Sequence, residues 1–204
     1  MSELDTVMTI LGSTRSIRKY EERPVPREAL ETLVQAGTYA SNPRNSQPWR
    51  FIVADDPQVI AQLGEYLVPR VAELDAAIAK LTDPAKIKVY SSGAHLLRNF
   101  GKSPAIIFVC SVDQFYGKEF DSREAVLSAT HAASQNILVA ARASGLGAAY
   151  TTFHIHAEEK FNTLLNVGEG MKIDVTIPVG YPSVKFGPVN RKPINEVMAY
   201  NRLP

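Results

Sequence analysis

Ser41-Asn-Pro-Arg-Asn-Ser-Gln-Pro-Trp-Arg-Phe51 follows a helical pattern and runs directly into Ile52 and Val53, the continuation of an apolar strand. Two amide side chains, Asn45 and Gln47, stand in a loop bounded by Pro43 and Pro48. Proline at each end restricts the backbone, and every amide side chain offers both donors and an acceptor. Amides held on such a loop match the alternating donors and acceptors of a planar heterocycle. Upstream lies a compact basic run, Arg15-Ser16-Ile17-Arg18-Lys19-Tyr20. Guanidinium forks beside a hydroxyl make a phosphate clamp. Phosphate at one end and a heterocycle at the other describe a nucleotide-like cofactor.

Outward from that loop, helical and strand patterns interleave. Residues 4–12 read as a short helix ahead of the basic run. Pro24 and Pro26 then punctuate the chain before a helix whose Leu30, Leu33, Val34 and Gly37 share one face. Residues 49–54 form a strand that ends at Asp55-Asp56-Pro57. From residue 58 to 81, Ile60, Leu63, Leu67, Val71, Leu74 and Ile78 recur at helical spacing, and Pro69 is expected to kink or divide that helix. The charge-rich residues 82–88 read as a surface connection. After Pro104, Ala105-Ile-Ile-Phe-Val-Cys110 is apolar without alternation, so it belongs mid-sheet with both faces covered. Asp121-Ser-Arg-Glu124 has capping-box form and opens a helix that Gly145 closes. Residues 172–180 set Ile173, Val175, Ile177 and Val179 against Lys172, Asp174 and Thr176, which predicts one covered and one less covered face. Residues 181–188 are a turn-rich connector, and a polar tail begins at Asn190. The pattern is an α+β or α/β layered single domain over residues 1–204, without internal repeat or linker.

Composition narrows the function. Lys and Arg total 22 against 21 for Asp and Glu, a net charge of +1 over 204 residues. A nucleic-acid surface, which needs clustered positive charge, is not expected. The single cysteine, Cys110, excludes an intrachain disulfide framework, fits a reducing compartment and reads as a buried core thiol. No signal sequence and no bilayer-spanning run are visible, so a cytoplasmic protein with no membrane partner is the expectation. Between Glu124 and Arg142 the only titratable side chain is His131. A helix so short of charge is expected to be buried on every side. Ala129, Ala132, Ala133, Ala140 and Ala141 permit close helix approach, and a second copy of the chain is the simplest cover.

Arg15-Ser-Ile-Arg-x-Tyr20, Asn45-x-Gln-Pro-Trp-Arg-Phe51 and Gly145-Leu-Gly147, in this order and spacing, resemble the FMN-dependent nitroreductase family from the first helix to Arg191. The resemblance implies a central mixed, mostly antiparallel sheet flanked by helices, in a homodimer with a flavin at each subunit interface. It implies FMN as cofactor, NAD(P)H as reductant, and ping-pong hydride transfer to a small organic acceptor such as a nitroaromatic, quinone or enone. Arg15, Ser16, Arg18 and Arg191 would hold the phosphate. Asn42, Pro43, Asn45 and Gln47 would line the flavin ring, reaching it from the partner, and the tail 189–204 would embrace that partner. A backbone amide among Tyr150, Thr151 and Thr152 would donate to the reactive ring nitrogen. The family clamp opens with two adjacent arginines; Thr14 stands at the first of those positions, leaving at best a hydroxyl contact there. No catalytic side chain is demanded, because the flavin supplies the redox chemistry. Alternatives are an oxygen- or substrate-oxidising flavoenzyme of the same fold, or a non-catalytic flavin-binding or storage module.

Other residues have plainer readings. Gly145-Leu-Gly147 lacks a third spaced glycine and follows a helix, so it is no dinucleotide turn. Lys19 reads as surface and Trp49 as core. His154 and His156 read as a surface pair at a helix start, not a metal site, and His131 as a hydrogen-bonded core residue. Gly168-Glu-Gly170 reads as a turn. Residues 58–102 are expected to shape the acceptor pocket.

Overall fold

The unbroken apolar run after Pro104 becomes the centre of the molecule. In the computed structural model, which describes residues 2–112 and 123–202, it forms β2 (Ala105–Val112). β1 (Trp49–Ala54) pairs antiparallel along one side of β2 and β4 (Met171–Gly180) along the other, with the short β3 (Gly147–Ala148) beyond β4. The order is β1-β2-β4-β3, and every pairing among these strands is antiparallel. Because side chains alternate along a strand, β2 feeds two cores. Ala105, Ile107 and Val109 pack with Leu30 and Leu33 of α2 (Arg27–Thr38) and with Ile137 and Ala141 of α6 (Arg123–Ala143). Ile106, Phe108 and Cys110 pack on the other face with Ile60 and Leu63 of α3 (Pro57–Tyr66), Leu97 of α5 (Pro84–Arg98) and Phe161 of α7 (Glu158–Leu164).

The helical pattern from residue 58 is divided at Leu67, so that Pro69 sits in the first turn of a separate helix, α4 (Val68–Ile78), where its missing N–H costs nothing. Residues 82–88 differ from expectation: they are not a loop, because α5 starts at Pro84. Asp83 caps it, its Oδ1 accepting the Ala85 N–H at 2.8 Å. An acid followed by proline is a helix start, and the charges that suggested a connection lie on the exposed face of its first turns.

β4 also departs from its pattern, since both of its faces are buried. Val109 pairs with Val175 but Cys110 pairs with Ile173, so Asp174 is the extra residue of a β-bulge. Ile173 is thereby turned into the Phe161 core while Val175, Ile177 and Val179 face α2 and α6. Asp174 is covered by α6, where Arg123 pairs with one carboxylate oxygen and Thr130 Oγ1 donates to the other at 2.9 Å. Thr176 is covered by His154, whose Nδ1 lies 2.9 Å from the Thr176 hydroxyl.

His154 is therefore buried, not a surface residue, because the 3-10 turn Phe153–His156 rolls its ring inward; His156 remains exposed. The reverse holds for α6. One chain covers only the face bearing Ala129, Thr130, Ala133, Ser134, Ile137 and Ala141, while Ser128, His131 and Gln135 are exposed. His131 is thus no core residue; it meets solvent beside the Tyr150 ring, with centroids 6.1 Å apart. Asp121 and Ser122, the start of the expected capping box, lie outside the described residues. Cys110 is buried, and burial, with the Asp174 carboxylate adding to it, pushes its thiol up to about 12, so it stays protonated.

Burial holds the His154 imidazole below its ordinary value of 6.5. The folded chain keeps it neutral while the unfolded chain takes up a proton below about pH 6.5. Stability from this group is complete above that pH and is lost as pH falls toward the lowered folded value. Urea unfolding at pH 7.5 and 5.5 is expected to show a smaller acid loss in His154→Asn than in the native chain. An unchanged acid loss would assign the effect to other groups.

Candidate functional site

The basic run is locked beneath β3. Ile17 donates its N–H to the Ala148 carbonyl at 2.9 Å, and a Cβ built on Gly147 would come within 2.6 Å of the Ile17 side chain. Only glycine permits that approach. Tyr20 anchors the other end of the run through its hydroxyl, 2.7 Å from the Ile17 carbonyl and 3.0 Å from that of Pro178. Gly145 does the complementary job for α6. With φ +74° it closes the helix in a Schellman turn, Leu146 N–H to Ala141 O at 2.8 Å and Gly145 N–H to Arg142 O at 3.2 Å. The chain then passes straight into β3.

These two constraints make a cavity of about 150 Å³ lined by Thr14, Arg15, Ser16, Gln135, Leu138, Arg142, Leu146, Ala148, Phe186 and Arg191. Three guanidinium groups and no carboxylate line it. None of the three is in an ion pair with a described residue. Cations gathered without a counter-ion define an anion site, and the volume suits one phosphate group. Arg15 and Ser16 of the basic run come together with Arg191, the residue the resemblance added. Arg18 does not join them: it turns to a second, polar cavity beside His95 and Asn99, where its Nη1 donates to Ser92 Oγ at 3.3 Å. Thr14 lines the phosphate-sized cavity, but its hydroxyl donates to the Ile10 carbonyl at 2.8 Å.

Beyond β3 the chain stays extended along β4. The N–H groups of Ala149 and Thr151 donate to Pro178 O and Thr176 O at 3.2 and 3.0 Å. Alternation turns the N–H groups of Tyr150 and Thr152 the other way. The amide loop is held by Asn42, whose Oδ1 accepts the Gln47 N–H at 2.8 Å while its Nδ2 donates to Ala40 O. Arg44, Asn45 and Gln47 all have left-handed φ, +52°, +56° and +49°. Such conformations cost about 1 kcal/mol or more each outside glycine and gather at functional sites. The side chains of Asn45 and Gln47 are exposed, Pro43 is half-buried, and no residue of this loop lines the phosphate-sized cavity. The loop leads into Trp49, which is buried against Ala129 and Ala133, whereas the cavity spans residues 135–142 of α6. Along α6 the cavity starts at Gln135, about 3 Å of helix axis beyond Ala133, and runs to Arg142, roughly 14 Å beyond it.

The sequence model of the Nitroreductase family matches residues 11–181. The chain belongs to that family. A protein of Archaeoglobus fulgidus, provisionally named an NADH dehydrogenase/NAD(P)H nitroreductase, is 25% identical over 185 residues, covering 88% of this chain and 87% of its own. An iodotyrosine deiodinase of Nematostella vectensis is 25% identical over 193 residues, covering 90% and 70%. Among solved structures, a provisionally assigned nitroreductase of Desulfovibrio desulfuricans in complex with FMN is 25% identical, with a TM-score of 0.68 over 97% of this chain and 98% of that one.

Two polar members of the phosphate-sized cavity are not marked by the sequence as site residues, Arg142 and Gln135. Arg142 was legible in part: it is a cation in the last turn of a helix that carries no Asp, Glu, Lys or Arg between Glu124 and itself, three residues before the closing glycine. Among the described residues no cluster of three or more His, Cys, Asp or Glu could hold a metal, and no helix is long and apolar enough to cross a membrane.

Proposed function

We propose that this chain binds FMN and acts as an NAD(P)H-dependent oxidoreductase on a small organic acceptor of the nitroaromatic, quinone or enone class. The observation that carries the reading is the cavity with three unpaired guanidinium groups, set beside an extended edge with outward amides. The FMN in the Desulfovibrio relative supports the cofactor, and the name of the Archaeoglobus relative supports the reductant. FMN, when bound, supplies two-electron redox chemistry. Arg15, Ser16 and Arg191 would hold its phosphate, and a Tyr150 or Thr152 N–H would donate to its ring and stabilise negative charge there. The Thr151 N–H, already donated to β4, is not available for that role. No side chain is assigned to proton transfer.

The site needs a second copy of the chain. The phosphate-sized cavity is far too small for a tricyclic ring, and the strained loop carrying Asn42, Pro43, Asn45 and Gln47 stands apart from it. In a two-fold dimer that loop lines the partner's flavin. The exposed tail from Asn190, with Ile194 and Val197 on its short helix α8 (Ile194–Val197), then embraces the partner. A groove of about 400 Å³ between α2 and the open edge of β1 offers such a tail a seat.

Chromatography of the extracted chromophore, followed by NAD(P)H oxidation with a panel of acceptors, tests the reading. FMN and acceptor-dependent turnover are expected. FAD, or no flavin after reconstitution, refutes the cofactor assignment; FMN without turnover leaves a binding module. 3-Iodo-L-tyrosine belongs on the panel because of the deiodinase relative.

A further inference from the structure

Arg142 sits in the last turn of α6, half-buried, with its Nε donating to Ser13 Oγ at 2.9 Å. The Phe186 ring stacks on its guanidinium at 4.3 Å. Stacking uses the face of the planar group and leaves its in-plane N–H groups free. Nη1 and Nη2 have no hydrogen-bond partner among the described residues, and the side chain lines the cavity that Arg15, Ser16 and Arg191 line. Ser13 on one side and Phe186 on the other therefore hold a guanidinium in place without using the atoms that could grip an anion. Immediately after Ser13, Arg142's own anchor, the adjacent-arginine pattern of the family is broken by Thr14, whose hydroxyl proton is committed to Ile10 O.

We propose that Arg142 is a direct ligand of the cofactor phosphate, supplying from α6 the guanidinium that position 14 lacks. The proposal rests on the FMN reading. It assigns the phosphate to a clamp built from three separate parts of the chain, Arg15, Arg142 and Arg191. It also assigns Phe186, on the connector that leaves β4, the role of setting the angle of the fork.

The test compares FMN with riboflavin, which lacks the phosphate, in titrations of the full-length chain freed of flavin by dialysis. The native chain is expected to bind FMN much more tightly than riboflavin. In Arg142→Gln the FMN dissociation constant should rise about tenfold to a hundredfold, the scale of a lost charge-assisted bond, with riboflavin unchanged. Adding Thr14→Arg should restore most of the loss. Failure of the native chain to bind FMN overturns the FMN reading and this proposal together. A native preference for FMN that Arg142→Gln leaves intact overturns only the proposal, as does a parallel weakening of both flavins, which would mark Arg142 as merely structural. Should the glutamine variant not fold, Arg142→Lys decides: a several-fold fall in the FMN-to-riboflavin ratio supports the assignment and an unchanged ratio overturns it.

Discussion

Phe108→Ala is expected to destabilise the chain by about 3–5 kcal/mol, the range found when a large buried aromatic is cut to a methyl group. Phe108 stands in the middle of the central strand, opposite Ile52 on one side and Thr176 on the other, and is fully buried. Its ring meets Phe161 edge-on with centroids 6.2 Å apart, and Phe161 in turn meets Phe100 at 6.2 Å. Removing it opens a cavity between the sheet and the helices that cover it, and the backbone hydrogen bonds of the sheet limit how far the layers can close, so little of the loss is recovered by relaxation. Val53→Ala, on the edge strand and 38% exposed, is the control, with a loss below about 1 kcal/mol expected. Urea unfolding at one fixed protein concentration measures both. A Phe108 loss as small as that of Val53 would mean that this core collapses freely around the gap.

The combined substitution Leu4→Glu and Met8→Glu is expected to convert a dimer into monomers and to release the flavin with it. α1 (Glu3–Ser13) buries none of its residues in one chain, although it rests on α6. Leu4, Val7, Met8 and Leu11 nevertheless form a stripe at helical spacing, 68%, 50%, 60% and 42% exposed. An exposed glutamate there costs the isolated chain little. In an apolar interface each carboxylate costs about 2 kcal/mol, and a two-fold dimer carries the pair twice, so the dimer dissociation constant rises on the order of a millionfold. That asymmetry separates a lost interface from a lost fold. Light scattering combined with flavin absorbance reads both consequences in one run. A double variant that stays dimeric would move the interface away from α1, and a monomer that keeps its FMN would show that one chain builds the whole site.

Much of the architecture was legible because it is written in local periodicity. The unbroken run Ala105-Ile-Ile-Phe-Val-Cys110 could only be a strand with two covered faces, and β2 has two cores. The Gly145 stop, the division of the helix near Pro69 and the strand at residues 49–54 are likewise local, since each depends on a few neighbouring residues. Residues 82–88 depart from the expected loop because the Asp83-Pro84 start signal outweighs their charge density. The other departures could not be read locally. β4 alternates without a flaw, so nothing in it announces the bulge at Asp174; its register is set by β2 across the sheet, and one skipped residue turns Ile173 to the opposite core. His154 is buried only because Thr176 lies beneath it.

The same division runs through the site. Residue type alone marked Arg15, Ser16 and Arg18 as a phosphate clamp and the amide loop as a reader of a heterocycle, since guanidinium and amide chemistry do not depend on context, and the family resemblance added Arg191. Which guanidinium groups share a cavity was decided by tertiary structure. Ile17 closing over Gly147 brings Arg15 against the end of α6 and so against Arg142, while Arg18 is carried to Ser92. The chain determines what each residue can bind. Only the packing of segments distant in sequence determines which of them bind together, because an anion is gripped by groups within a few ångströms of one another and sequence separation does not measure that distance.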